Sequence, residues 1–147
     1  MIKMIVVGKM NQTYLKTGIA YYEKQLPTKF QMIEVKDEPT MQGMTKEADR
    51  ILSKIKPNDY VIALAIAGQT VDSPGFAKMI EQAQTYGQGD LVFVIGGSFG
   101  LDQRVYERAN KHISFSKLTF PHQLMRLILI EQIYRGFMIL KNHPYHK

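Results

Sequence analysis

Two stretches of this chain, Tyr60–Ile66 and Leu91–Ile95, are continuously apolar and rich in Val and Ile. Such runs suit strands covered on both faces, because a strand with one wet face alternates apolar and polar residues. Met1–Val7, Phe30–Val35 and the short Ile113–Phe115 read as three further strands. Helical spacing fills the intervals: Gln12–Leu26, stopped by Pro27; Thr45–Ile55, ended before Pro57; and a helix that starts at Asp72-Ser73-Pro74 and reaches Tyr86. Leu101–Asn110 is a shorter helix, Pro121–Leu140 a long one, and Lys36–Gly43 a polar loop. Strands alternating with helices imply an α/β fold, a mainly parallel sheet with flanking helices. With 147 residues and no internal repeat, the chain reads as one domain, 1–147.

The long last helix adds a second constraint. Leu124, Leu127, Ile128, Ile130, Ile133, Phe137 and Ile139 spread around its whole circumference. A helix apolar all round is buried all round. Either it is central in a monomer or a second copy covers its free face; the two-fold homodimer is the favoured expectation.

The net charge of +6 is unevenly placed: residues 101–147 hold eight Lys and Arg against three acids. All four histidines lie there too. A basic end attracts polyanions such as nucleic acid, although a merely solvated surface has the same composition. The absence of cysteine removes disulfides, thiolate metal sites and cysteine nucleophiles. No metal site is expected, since the tail histidines have no acidic or sulfur partner at ligand spacing. No apolar segment has the length of a signal peptide core or a membrane span, so the expectation is a cytoplasmic protein.

Four constellations can carry chemistry. Gly96-Gly97-Ser98-Phe99-Gly100 follows the strand ending at Ile95, where open α/β sheets bind ligands. It is neither the dinucleotide fingerprint nor a phosphate loop, and a tight strand-to-helix turn explains it equally well. Ser114 to Pro121 gathers hydroxyls, amides and two aromatic rings beside it, a mixture suited to a flat base with a polar chain; alternatively it is an ordinary loop with Thr119 capping the last helix. His122 and Arg126, and Glu131 and Arg135, are pairs four apart on the last helix. An arginine in so apolar a helix must be paired or functional, and a carboxylate can also hold an arginine that grips phosphate. The tail, His143-Pro144-Tyr145-His146-Lys147, reads from its residues alone as a frayed end. No nucleophile-elbow pattern surrounds Ser98, Ser114 or Ser116.

Together, VVGK, FVIGGSFG, SFSKLTFPHQLMR, EQIYR and PYHK resemble the RlmH family over the whole chain. Its members are SPOUT-superfamily methyltransferases that act on N3 of a pseudouridine in bacterial 23S ribosomal RNA. The stretch around Lys36–Lys46 looks shorter than usual in the family. The resemblance implies a SPOUT-type fold with a C-terminal trefoil knot and S-adenosylmethionine as methyl donor. It implies cofactor contacts from Leu64, Gly96 and Phe115, Ser116, Lys117, Leu118, Thr119 and Phe120. It also implies RNA binding and catalysis by Arg135, Tyr145 and His146, with one subunit's tail reaching its partner's cofactor. On that reading a side chain added at Gly96 enters cofactor space, His146 or Tyr145 assists in removing the N3 proton, and the tail adds little to folding. The rival classes are a non-catalytic ribosome-binding or assembly factor and a ribonuclease with paired histidines.

Overall fold

The computed structural model describes residues 1–147. Its five strands are β1 (Ile2–Val7), β2 (Phe30–Val35), β3 (Tyr60–Thr70), β4 (Leu91–Ile95) and β5 (Lys111–Ser114). They form one sheet in the order β2-β1-β4-β3-β5, and every pairing is parallel. The helices are α1 (Thr13–Glu23), α2 (Met44–Leu52), α3 (Ser73–Tyr86), α4 (Gln103–Arg108) and α5 (His122–Leu140). The all-parallel sheet with helices on both faces is the fold that the two apolar runs require.

Side-chain alternation along the strands divides the core in two. Ile2, Met4 and Val6 of β1 join Leu91, Phe93 and Ile95 of β4 beneath α1, α3 and α5. Ile5 and Val7 join Val92 and Val94 on the opposite face, under α2 and α4. The central strands are therefore buried residue by residue.

Asp72 caps α3, its carboxylate accepting from the Gly75 amide at 2.7 Å, with Pro74 in the first turn, as the sequence signals. Elsewhere the ends move. The loop expected at Lys36–Gly43 contains a 3-10 turn, Met41–Gly43. Thr119 does not cap α5; the residue before that helix is Pro121, and no side chain caps it.

The largest departure lies in β3, which runs on to Thr70 rather than stopping at Ile66. Leu64 and Gln69 both pair with Ile113 of β5, so residues 65–68 arch between them. Gly68 passes so close to β5 that a Cβ on it would stand 2.7 Å from the Ile113 carbonyl carbon. Small and polar residues in this stretch gave no strand period to read.

Helix α5 lies against both α1 and α3, and none of its residues is fully exposed. Leu124, Ile128, Glu131, Arg135 and Ile139 form a half-buried stripe along it. At its end Asn142 takes a left-handed φ of 57° and the His143 amide returns to the Met138 carbonyl at 2.9 Å. The chain is thereby turned back along the helix. The tail is not a frayed end: Tyr145 packs against the core.

Candidate active site

Ligands of open α/β sheets bind beyond the carboxyl ends of the strands. Here the ends of β3, β4 and β5 open into a cleft of about 820 Å³. Leu64 and the 65–68 arch form one wall, and Gly96 to Ser98 with Gly100 form the floor. Phe115, Ser116, Leu118, Thr119, Phe120, His122 and Met125 form the other wall. The structure thus gathers seven of the eight expected cofactor residues into one cleft. Lys117, the eighth, is exposed and does not line it.

Two features fit this cleft to a ligand with a flat base and a polar chain. Apolar surface from Leu64 and Phe115 is available to the base, Phe115 being braced edge-on by Phe76 at 5.5 Å. The amides of Ser116, Lys117, Thr119 and Phe120 donate to no backbone carbonyl, so this loop offers hydrogen bonds. The Ser116 hydroxyl closes a local turn in the loop by accepting from the Leu118 amide at 2.9 Å.

Gly96 lines the cleft, and its lack of a side chain also has a reason within the turn. A Cβ there would meet the carbonyl carbon and oxygen of Gly100, both at 2.7 Å. The glycine is needed because the turn closes on itself; a side chain would open that turn before it touched a ligand.

His122 was read only as a helix partner of Arg126, yet it stands in the cleft wall. Burial, and the Arg126 charge behind it, hold its imidazole below the ordinary value, so it is neutral at neutral pH. Arg126 itself is fully buried. Its guanidinium donates to Glu34 at 2.9 Å and to the carbonyls of Val7 and Gly8 at 3.0 and 2.8 Å. It ties the first turn of α5 to the exit of β1. Ile66, Gly68, Tyr106 and Met125 also line the cleft, and periodicity alone contained no signal for them.

Arg135, Tyr145 and His146 come together, but elsewhere. None of them lines the cleft. Glu131 holds Arg135 by two hydrogen bonds, from Nε at 3.1 Å and from Nη2 at 3.0 Å. Tyr145 donates its hydroxyl to the same carboxylate at 3.2 Å and lies under the guanidinium, 4.7 Å from ring centre to Cζ. Tyr134 meets the Tyr145 ring edge-on at 4.7 Å, and the Tyr22 hydroxyl is 3.4 Å from that of Tyr145. Burial first, then the hydrogen bond with Tyr22 and the Glu131 charge, push the Tyr145 phenol well above its ordinary range. The hydrogen bond to Glu131 raises Arg135 in turn.

His146 Nδ1 lies 3.2 Å from Arg135 Nη1. A guanidinium only donates, so Nδ1 accepts and the proton of the neutral ring is on Nε2. In this arrangement His146 offers a donor outward, not a base. Tyr145, kept protonated, is no free base either. The one anion of the cluster is Glu131, which the sequence reading treated only as a partner for Arg135.

No group of three or more His, Cys, Asp or Glu is placed to hold a metal ion, and no helix is long and apolar enough to cross a membrane.

A family model described as predicted SPOUT methyltransferase matches residues 1–146. The chain belongs to the SPOUT methyltransferase family. Among similar SPOUT proteins, the ribosomal RNA large subunit methyltransferase H of Ligilactobacillus salivarius (strain UCC118) is 54% identical over 157 residues, covering 99% of both chains. The protein of the same name from Streptococcus thermophilus (strain CNRZ 1066) is 53% identical with the same coverage. Both alignments are longer than the 147 residues of this chain, so these relatives carry residues that it lacks. The structure of a probable methylase family protein from Haemophilus influenzae Rd KW20 superposes with a TM-score of 0.59 at 11% identity. That match covers 99% of this chain and 70% of the other, and it is a likeness of fold.

Proposed function

We propose that this SPOUT methyltransferase methylates large-subunit ribosomal RNA in the cytoplasm, at N3 of a pseudouridine, with S-adenosylmethionine as donor. The observation that carries the reading is the cleft at the ends of β3, β4 and β5, with an apolar wall and unpaired amides on a single loop. Two relatives more than half identical over nearly their full length are named for large-subunit rRNA methylation, which supports the substrate class. The bound donor supplies an electrophilic methyl group; the protein supplies position and electrostatics. Leu64 and Phe115 hold the apolar part, and the free amides of Ser116, Thr119 and Phe120 hold the polar chain. Neutral His122 shapes the wall beside them.

The proposal includes a homodimer. A cluster of Arg135, Tyr145 and His146 that lies off its own cleft acts on the cleft of a second copy, and the half-buried stripe Leu124, Ile128 and Ile139 supplies apolar contact. It also includes the trefoil knot, supported by the arch of residues 65–68 over β5. Arg135 stabilises the anion that develops on the base, and the aromatic tail positions it.

The test pairs two measurements. Calorimetry of the purified protein is expected to show one S-adenosylmethionine site per chain. Transfer of labelled methyl to 70S ribosomes is expected to place the label in 23S RNA, on a pseudouridine. Ribosome binding without donor binding favours an assembly factor, and cleaved RNA favours a nuclease; either result overturns the proposal.

A further inference from the structure

An imide nitrogen that keeps its proton has no lone pair free to take a methyl group, so the reaction needs a proton acceptor. Resting on the function just proposed, we infer that Tyr145 relays the N3 proton to Glu131, and that this transfer frees Arg135 to face the base. The tail geometry provides the path. Tyr145 already donates its hydroxyl to Glu131 Oε2 at 3.2 Å, so the longer 3.4 Å contact has Tyr22 donating to the phenol oxygen, and an incoming N–H uses the second lone pair of that oxygen or displaces the Tyr22 hydroxyl. Glu131 is anchored from three sides: by both guanidinium contacts of Arg135, by Tyr145, and by Gln132 Nε2 at 2.9 Å. Ser73 of α3 fixes Gln132 in turn, donating to its Oε1 at 2.7 Å.

His146 is excluded as acceptor while its Nδ1 faces Arg135. The groups around the relay are Tyr22 from α1, Glu131, Tyr134 and Arg135 from α5, and His143 and His146 from the tail. Glu131 is the only carboxylate among them.

The balance closes. The N3 proton passes to the Tyr145 oxygen as the Tyr145 proton passes to Glu131. The N3 pair forms the nitrogen–carbon bond, and the pair of the broken carbon–sulfur bond stays on sulfur. The neutralised Glu131 no longer holds Arg135 as an ion pair. The guanidinium charge then acts on the electron-rich base at the moment charge develops there. Glu131 works through Tyr145 and Arg135 and is a positioning residue with a proton-accepting role.

The test uses the full-length protein and 70S ribosomes under single-turnover conditions. Glu131→Gln keeps the shape and removes the charge. It is expected to lower the methylation rate about 100- to 10,000-fold, with Kd for S-adenosylmethionine within twofold of wild type. Tyr145→Phe is expected to match it, and the double variant to be no slower than the slower single one. Without donor or RNA, 13C-tyrosine NMR of Glu131→Gln is expected to show Tyr145 still docked on Tyr134 with its phenol carbon resonance moved. In mixtures of light and heavy water the wild-type rate is expected to depend on deuterium fraction with the curvature of two protons in flight. A Glu131→Gln rate within threefold of wild type, losses that multiply in the double variant, or a linear inventory overturns the relay. Should Glu131→Gln undock the tail, the wild-type inventory alone decides. A wild-type protein that binds no donor or leaves rRNA unmethylated instead sinks the proposed function.

Discussion

Arg126 is the largest side chain with essentially no exposure. Its two terminal nitrogens are partnered, by Glu34 and two strand-end carbonyls, with Glu34 in turn accepting from the Met10 amide at 2.6 Å, while Nε is buried without a partner. Breaking such a cluster from one side costs more than the ion pair itself contributes, because the stranded groups stay buried. Glu34→Ala strands the fully buried Arg126 charge and is therefore expected to lose about 3–5 kcal/mol in urea denaturation, whereas Arg126→Met leaves behind Glu34, a third exposed, and is expected to lose less. Equal losses in the two variants would contradict this account. Gly96 carries the matching lesson for glycine. Its position near a ligand site suggested a gap left for the ligand, but the neighbouring atoms belong to Gly100 of the same turn.

At the scale of elements, the strands were legible to within a few residues where both faces are buried, as in β1 and β4, and also in the partly exposed edge strand β2. Pro, Gly and capping residues located α3. Legibility failed where an element is shaped by a distant neighbour. The 65–68 arch exists because β5 lies beneath it, and no local pattern encodes β5. Most of the cleft was legible as a list of residues through the family motifs, but His122, Met125 and Tyr106 enter it only through packing. Tyr145 looked like a solvated end because its partners, Tyr22, Tyr134 and Glu131, lie 11 or more positions away. Tyr145 thus packs against the core as well as joining the cluster.

One pH effect belongs to the β1–β4 pair. Burial would raise the Asp90 carboxyl, but hydrogen bonds and charge from Lys3, at 3.1 Å, and the Met1 ammonium bring it below its ordinary value. A depressed carboxylate contributes stability that is complete above the unfolded value of about 3.9 and disappears as pH falls through the folded value. Melting temperature is expected to fall over that acid window, and Asp90→Asn to be less stable at neutral pH with a flatter acid limb. A variant whose acid profile superposes on wild type would remove Asp90 from the explanation.

For the whole molecule, the separation of cleft and tail makes one definite demand of the proposed dimer. Thr119 is exposed on the cleft wall, so Thr119→Trp is expected to obstruct the donor without disturbing the fold. His146→Ala damages the tail cluster and leaves the cleft intact. Each homodimer is expected to be inactive. In a mixed dimer, sites shared between subunits place both lesions in one site and neither in the other, so activity is expected to return to about half of wild type per dimer. Mixed dimers of demonstrated composition that stay inactive would require each site to be built within one chain. The arch of residues 65–68 carries a consequence for synthesis. One wall of the cleft rests on Ile113 and the other is made of residues 115–125, so a growing chain has no donor site until nearly the whole sequence has emerged. Truncated products that end before residue 125 are then expected to have no affinity for the methyl donor.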